Sequence, residues 1–194
     1  MKYGVLGGTF DPPHLAHLEI AKEVAEALEL DEVVWVPAAK NPEKRKAFVS
    51  SRHRLRMVQR LIQDENQMSV SDVEVTRGGD SFAVETIKEL HQVRPGSYWF
   101  IMGMDSLNSL PEWKDAETLA AICRFAVVSR PGIDTRSALE RIPVEFLERV
   151  DVIETKPNPL SSSMIRDKIY IEKDITQEVG DKVARYIEEE KLYR

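Results

Sequence analysis

The sequence predicts an α/β fold built on a doubly wound parallel sheet in a single domain. Short apolar runs rich in β-branched residues alternate with amphipathic stretches, which is typical of strands and helices that follow one another. Two runs, 33–36 and 99–102, are apolar at every position, as expected of strands buried on both faces. The chain has 194 residues and is 42% hydrophobic, which is enough for one sizeable core.

Each predicted element follows from its own pattern. Strands are predicted where β-branched residues cluster between turn-forming residues, at 3–6, 33–36, 70–75, 98–102, 125–128 and 150–153. Helices are predicted where apolar residues recur every three or four positions, at 13–30, 51–64, 82–92, 116–122, 163–170 and 178–190. The single domain is expected to cover 1–194, with a helical part at 160–194.

The turn after the first strand carries the strongest functional signal. Gly7 and Gly8 lie where the strand passes into a helix, and glycine lets the backbone approach a ligand closely. Pro12 occupies an expected first helical position. His14 and His17 are three residues apart, so they share one helix face. A helix start offers free N–H groups to anions, and the motif therefore predicts a phosphate site.

A second candidate anion site lies near the C-terminus. Three consecutive serines at 161–163 precede a helical pattern, and Arg166 follows one turn later. One helix needs only one serine as its cap, so hydroxyls, N–H groups and a guanidinium together indicate phosphate binding. The turn after the fourth strand adds Gly103 and Asp105 to the same edge of the sheet, where such folds bind ligands.

Composition excludes several other classes of function. A net charge of -6 argues against a nucleic-acid-binding surface. The stretch 40–60 is basic, and is either a solvated face or a contact for a small anion. The only cysteine, Cys123, rules out an intrachain disulfide and is expected to be a buried, inert thiol. No apolar run is long enough to span a membrane and no signal peptide is visible, which predicts a cytoplasmic protein.

Together these motifs resemble the nicotinate-nucleotide adenylyltransferase family of the nucleotidyltransferase superfamily, over nearly the whole chain. Superfamily members carry a His-x-Gly-His or Thr-x-Gly-His motif near the N-terminus and a Ser/Thr-rich segment ending in Arg near the C-terminus. The Leu-Pro-x-Trp setting of Trp113 points to the nicotinate branch. The other matching segments are 42–44, 53–57, 100–105, 130–132 and 186–193. The implied fold is Rossmann-like.

The resemblance implies transfer of the adenylyl group of ATP to nicotinate mononucleotide, with Mg²⁺ carried by the ATP phosphates and no protein metal ligands. His14, His17 and Arg166 are the implied catalytic residues. Implied ATP contacts are Gly7, Gly8, Thr9, Phe10, His14, His17, Gly103, Asp105, Ser162, Ser163, Ile165 and Arg166. Implied contacts to the mononucleotide are Thr9, Lys44, Thr86 and Trp113.

Three positions depart from the family pattern. Ala16 stands where Gly is usual between the two histidines, which adds a methyl group close to the phosphates. Ser163 replaces a usual Thr but keeps the hydroxyl. Phe82 and Ala83 replace a usual Tyr-Thr pair, so this chain lacks two hydroxyls near the expected pyridine carboxylate.

Several alternatives stay open. The acceptor could be nicotinamide mononucleotide or another phosphate, phosphopantetheine included, and the oligomeric state is open, a homo-oligomer included. An inactive nucleotide-binding regulatory module is an alternative of a different class. An NAD-dependent dehydrogenase is disfavoured, because no Gly-x-Gly-x-x-Gly follows the first strand. Zinc is disfavoured too, because zinc helices space two histidines by four and add a third ligand.

Overall fold

The computed structural model describes residues 1–42, 47–129, 135 and 139–194. Its centre is a six-stranded sheet in the order β3-β2-β1-β4-β5-β6, and every neighbouring pair is parallel. The strands are β1 Lys2–Gly8, β2 Glu32–Pro37, β3 Met68–Val70, β4 Ser97–Gly103, β5 Arg124–Ser129 and β6 Val150–Glu154. The doubly wound parallel sheet predicted from the sequence is confirmed.

Helices cover both faces of the sheet. Those in the described residues are α1 Leu15–Leu28, α2 Ser51–Ile62, α3 Val73–Arg77, α4 Ala83–Val93, α5 Met104–Ser109, α6 Ala116–Ile122, α7 Val144–Leu147, α8 Ser162–Tyr170, α9 Thr176–Val179 and α10 Asp181–Glu189. A short 3₁₀ turn, Leu110–Glu112, joins α5 to the segment before α6.

Successive strand residues feed two separate cores because their side chains point to opposite faces. Val34 packs with α4, α5 and α6 on one face, whereas its neighbour Trp35 packs with α1 and α2 on the other. Both side chains are fully buried. The all-apolar strands of the sequence are thus explained. A third cluster joins α8, α9 and α10 to Met57 of α2.

The strand order reverses between β1 and β4. The connection after β1 leads through α1 to β2, on one side, whereas β4 continues to β5 on the other. The loops at the carboxyl ends of these two strands therefore diverge and leave a crevice, which is where open α/β sheets bind ligands. Gly8 ends β1 and Gly103 ends β4, so both predicted glycine turns lie at this crevice.

Three sequence predictions are wrong in detail. Only Val70 of the predicted strand 70–75 is in a strand, because β3 is Met68–Val70 and Val73–Arg77 forms α3. The predicted helix 178–190 is divided at Gly180, whose φ of 78° is left-handed and lies outside helical geometry. Pro12 is not the first helical residue, because α1 begins at Leu15 and His14 is its N-cap.

No helix in the part of the chain that the structure describes combines the length and the apolar character that crossing a membrane requires.

Candidate active site

A cleft of about 1450 Å³ opens at the carboxyl ends of β1 and β4. It brings together most of the predicted site residues, which come from the two ends of the chain and from the middle. The predicted residues that line it are Gly7, Gly8, Thr9, Phe10, His14, His17, Gly103, Asp105, Trp113, Ser162, Ser163 and Arg166. Ala16, which departs from the family pattern, also lines the cleft and is buried. Lys44 and the segment 130–132 lie outside the described residues.

The glycine turn is shaped by Phe10. A Cβ atom at Gly8 would lie 2.9 Å from the Phe10 ring, too close without a shift of that ring. Phe10 itself has a φ of 51° and packs its ring against Trp35 and, edge-on, against His17. The glycine therefore makes room for an aromatic side chain that supports the second histidine, in addition to opening the backbone to a ligand.

The two histidine rings stack, with their centroids 3.7 Å apart. The backbone N–H of His14 donates to Nδ1 of His17 over 3.2 Å, and the N–H of His17 donates to the His14 carbonyl over 3.0 Å. Because Nδ1 of His17 accepts a hydrogen bond, Nε2 is the nitrogen of that ring that carries the proton when the ring is neutral. The loop geometry thus sets the tautomer of His17.

His14 is the more deeply buried of the pair, with 5% of its surface exposed. Burial lowers the pKa of His14 from 6.5 to about 4, so the ring is neutral near pH 7. Its Nδ1 atom is buried without a hydrogen-bond partner within the described part of the chain. Buried polar atoms are normally paired, which makes this nitrogen a candidate contact for a bound ligand or an ordered water.

A buried arginine of α2 supports the glycine turn from below. Arg54 is 2% exposed and donates to the carbonyls of Thr9 at 2.6 Å and Ala39 at 3.1 Å. Desolvation lowers the pKa of Arg54, and the Asp11 carboxylate opposes that shift. The interpretation of the whole stretch 40–60 as a solvated basic face is therefore wrong for Arg54, which is a structural cation under the cleft.

The C-terminal anion site is built around the start of α8. Ser161 is the N-cap, and its hydroxyl accepts from the Met164 N–H. Ser162 donates to the Pro12 carbonyl at 2.8 Å, and Arg166 donates to the Asp11 carbonyl at 2.6 Å. The serines thus combine capping with contacts to the loop after β1, and they join the two predicted phosphate sites into one wall of the cleft.

The aromatic end of the cleft lies on the other face of the sheet. Trp113 packs against the core that contains α4 and α6, whereas Phe10 belongs to the core that contains α1. The Trp113 indole meets Phe100 edge-on at 5.8 Å between centroids and donates to the Ser109 hydroxyl. Nearby, the Lys114 ammonium lies 4.3 Å from the centre of the Phe82 ring. This end offers a flat aromatic surface beside a cation.

Two predicted contacts do not line the cleft. Thr86 is 1% exposed, and its hydroxyl donates to the buried carboxylate of Glu74, which itself reaches the cleft. Burial raises the pKa of Glu74. Ile165 is fully buried in the core of the C-terminal helices. Both side chains lie behind the residues that line the cleft, and the expected ligand contacts of Thr86 and Ile165 stay predictions.

Gly103 and Asp105 sit at the end of β4, as predicted. A Cβ atom at Gly103 would meet no atom of the described residues within 4 Å, its chain neighbours apart, so packing against them does not require a glycine here. Asp105 is exposed in the first turn of α5 and faces the cleft. The free space at Gly103 beside this carboxylate suits a ligand group with hydroxyls.

The remaining chemical groups offer no alternative centre in the described residues. Cys123 is buried and donates to the Leu119 carbonyl, and burial raises its pKa to about 12, as expected of an inert thiol. No group of three or more His, Cys, Asp or Glu side chains in the described ranges is placed to hold a metal ion.

Sequence reasoning missed two residues that organise the site, Asp11 and Arg54. Arg54 had a signal in the sequence, because it lies on the same face of α2 as Met57 and Val58, which are buried. A charge on an apolar helix face indicates a buried partner. Asp11 had no such signal in the sequence beyond its place in the motif, because its hydrogen-bond partners are far away in the sequence.

Comparisons with known proteins agree with this geometry. The cytidylyltransferase-like family model matches residues 5–168. A Herpetosiphon aurantiacus protein named probable nicotinate-nucleotide adenylyltransferase is 39% identical, and the match covers 99% of this chain and 98% of that protein. A Shouchella clausii protein of the same name is 38% identical, over 99% and 96%.

A solved structure is similar throughout. Plasmodium falciparum nicotinic acid mononucleotide adenylyltransferase complexed with NaAD superposes with a TM-score of 0.78 at 21% identity, covering 99% of this chain and 97% of that one. At that identity the likeness shows the fold.

Proposed function

The chain belongs to the cytidylyltransferase-like family and, within it, to the nicotinate-nucleotide adenylyltransferases, and from this premise we propose that it transfers the adenylyl group of ATP to nicotinate mononucleotide. The products are deamido-NAD and pyrophosphate. The observation that carries the proposal is that both phosphate-binding segments form one wall of a cleft at the sheet's switch point.

The reaction needs alignment and charge stabilisation more than a protein nucleophile. A 5′-phosphate oxygen of the mononucleotide attacks the α-phosphorus of ATP, the bond to the bridging oxygen breaks, and pyrophosphate leaves. The attacking oxygen is already anionic, so no base has to remove a proton. The protein's contribution is to hold two phosphates in line and to meet the charge that develops between them.

The side chains divide this work by their chemistry. His17 presents its Nε2–H to the reacting phosphate, and neutral His14 supports it from the stacked position. Arg166, the Ser163 hydroxyl and the backbone N–H groups at the start of α8 bind the departing pyrophosphate, while Ser162, whose hydroxyl donates to the Pro12 carbonyl, holds these groups to the loop after β1. Asp105 accepts hydrogen bonds from the ribose hydroxyls of ATP, beside the open space at Gly103.

The pyridine ring stacks on Trp113, which lies across the sheet from the phosphate wall. The chain lacks two hydroxyls that relatives place near the ring's carboxylate, but Lys114 puts a positive charge at this end. We propose that this ammonium favours the carboxylate over the neutral amide. Its ion pair with Glu85, at 2.7 Å, holds it beside Phe82.

Mg²⁺ is proposed to enter with the triphosphate. Magnesium prefers phosphate oxygens and water and needs few protein ligands when a nucleotide carries it. ATP and the mononucleotide are the proposed partners, and the cytoplasm is the proposed location of the reaction.

A comparison of acceptors tests the proposal. Pyrophosphate release is measured with ATP and Mg²⁺ and one of three acceptors at equal concentration: nicotinate mononucleotide, nicotinamide mononucleotide or phosphopantetheine. We expect the nicotinate compound to be used at least about tenfold faster than the amide, the scale of one charge-assisted contact. A Lys114→Gln variant is expected to lower the rate with nicotinate mononucleotide and to leave the rate with nicotinamide mononucleotide unchanged.

The other outcomes separate the alternatives. A preference for the amide keeps the chemistry and changes the acceptor. ATP binding without turnover of any acceptor refutes the enzyme and supports a regulatory module.

A further inference from the structure

Tyr193, the penultimate residue, has no part in the chemistry proposed above, yet it returns to the phosphate-binding wall. Its hydroxyl donates a hydrogen bond of 2.8 Å to Oδ1 of Asp11, a residue 182 positions earlier in the chain. The preceding residue, Leu192, is buried in the cluster of the C-terminal helices. The end of the chain is thus anchored on these helices and directed at the loop after β1.

Asp11 connects three parts of the chain to one another. Its carboxylate is held at both oxygens, because Oδ2 accepts from the Phe48 backbone N–H at 2.7 Å while Oδ1 accepts from Tyr193. Its backbone carbonyl accepts from Arg166. The Phe48 ring in turn lies 4.2 Å from the Arg166 guanidinium. Asp11, Phe48 and Arg166 therefore form a closed triangle of contacts, and Tyr193 holds one corner of it.

The loop between β1 and α1 depends on these distant partners for its position. The Thr9 carbonyl is held by Arg54 and the Pro12 carbonyl by Ser162. Asp11 lies between these two attachments, and His14 follows three residues later. A displacement of Asp11 would therefore move the Arg166 guanidinium and the start of α1 relative to each other.

We propose that Tyr193 is a positioning residue for catalysis, which acts through Asp11 to hold Arg166 and the two histidines at their working separation. This inference rests on the proposed function. Neither the tyrosine nor the aspartate contacts substrate in this account. Asp11 is 6% exposed and its charge balances buried Arg54, so its role combines positioning with stability.

The hydroxyl is suited to this task because it remains a neutral donor. Burial raises the pKa of Tyr193, and the neighbouring Asp11 carboxylate raises it further. The hydrogen bond to a carboxylate is charge-assisted, and such bonds are shorter and stronger than neutral ones. The Tyr193 hydroxyl therefore stays protonated near neutral pH and can donate this hydrogen bond there.

Tyr193→Phe tests the inference, because it removes one oxygen and keeps the ring. We expect kcat to fall about tenfold, less than the hundredfold that an ångström of misplacement can cost. The KM for nicotinate mononucleotide is expected to stay within about twofold, because the pyridine end lies on the other face of the sheet. The dissociation constant of MgATP, measured by calorimetry without acceptor, is expected to rise about threefold.

Tyr186→Phe is the matched control. Tyr186 belongs to the same C-terminal cluster, is 2% exposed, and its hydroxyl shares a 2.7 Å hydrogen bond with His53. Removal of the Tyr186 hydroxyl breaks this buried hydrogen bond and leaves the contacts of Asp11 unchanged. We expect this variant to melt at a lower temperature but to keep the wild-type kcat and MgATP affinity.

The two variants separate positioning from stability. If Tyr193→Phe has wild-type kcat and MgATP affinity, or loses kcat only as much as Tyr186→Phe, the inference is overturned. The wild-type protein in the same assay reports on the proposed function independently. If the wild type turns over no acceptor, the proposed function fails, and the MgATP affinities of the two variants still decide whether Tyr193 positions the phosphate wall.

Discussion

His14 is the N-cap of α1 and His17 lies in its first turn, and the surroundings of the two side chains differ. The His14 N–H occupies Nδ1 of His17 and leaves Nε2 as the donor nitrogen, whereas burial keeps the His14 ring neutral. A neutral ring stacked at 3.7 Å can support its neighbour without repelling a charge on it. At the scale of single residues, His17 is therefore the stronger candidate for contact with the reacting phosphate.

His17→Ala is expected to lower kcat by roughly a hundred- to a thousandfold, the scale for the loss of one preorganised donor. The fold should survive, because the side chain is at the edge of the cleft and is not fully buried. Steady-state kinetics and a thermal melt check both points. His91→Ala, on α4 outside the cleft, is the control and should keep its kcat. Wild-type turnover by folded His17→Ala would remove His17 from the mechanism.

Gly8 and Gly103 are expected to respond differently to the same added methyl group. Gly8→Ala would press on the Phe10 ring and should lower the melting temperature together with kcat. The methyl group of Gly103→Ala would meet no atom in the part of the chain that the structure describes, and Gly103 has an ordinary backbone conformation, so this variant should melt like the wild type. It should nevertheless weaken ATP binding, about tenfold in calorimetry, because its methyl fills ligand space. Unchanged ATP affinity would show that the nucleotide does not use this space.

The glycines and histidines could be identified from the sequence because their chemistry is unusual wherever they occur. Arg54 could be identified only in part, because its place on an apolar helix face indicates burial but does not say which groups it contacts, and the role of Asp11 could not be identified at all. The partners of Asp11 are Phe48, Arg166 and Tyr193, which the fold alone brings together. The same holds for Thr86, whose burial behind Glu74 is a property of the packing of α3 on α4.

At the scale of elements, α2 illustrates how a helix can shape a site that it does not line. Its apolar face packs Val58 and Ile62 under the sheet and Met57 under the C-terminal helices. From the same face Arg54 reaches the carbonyls of Thr9 and Ala39, at the ends of two neighbouring strands. The helix thereby couples the core to the loop after β1.

Arg54→Met is expected to destabilise the protein by about 3 kcal/mol, because it leaves buried carbonyls unpaired and Asp11 without its counter-charge. Urea unfolding followed by circular dichroism measures the change. Arg56→Met, an exposed position on the same helix, is the control and should change stability by less than about 0.5 kcal/mol. Equal stability of the two variants would mean that the buried arginine contributes no net stabilisation.

The elements that the sequence predicted poorly are short or interrupted. The stretch 70–75 contains three valines, which favour a strand, but the strand ends at Val70 and Glu74 turns inward in α3. Three β-branched residues in six positions are too short a pattern to decide between a strand and one turn of helix. In the last helical stretch, the apolar period continues through Gly180, whose left-handed backbone breaks the helix.

At the scale of the whole molecule, the cleft has a phosphate wall on one face of the sheet and an aromatic end on the other. Phe10 and α1 belong to one core, and Trp113 and α6 to the other. The strand order reverses between β1 and β4, so the loops of both halves of the sheet border one crevice. One protein can therefore hold two nucleotides there with their phosphates adjacent. The alternating strands and helices predicted this architecture from the sequence, since each parallel strand needs a covering helix.

Because the two ends are separate, Trp113→Ala should raise the KM for the mononucleotide by about tenfold and leave the KM for ATP within about twofold. Phe48→Ala, at the phosphate wall beside Arg166, is the comparison and should affect ATP more than the mononucleotide. Both constants come from the same pyrophosphate-release assay. Equal effects of Trp113→Ala on both substrates would remove its assignment to the pyridine ring.

The adenylyl group is proposed to pass directly from ATP to the mononucleotide while both are bound, and this step can be tested. It is tested most directly by incubating the wild-type protein with nicotinate mononucleotide and ATP labelled at the α-phosphorus, then following the label. We expect the label to move into deamido-NAD in step with pyrophosphate release, and we expect none to be retained on the protein after rapid denaturation. Label that remains in ATP, or that accumulates on the protein, would contradict it.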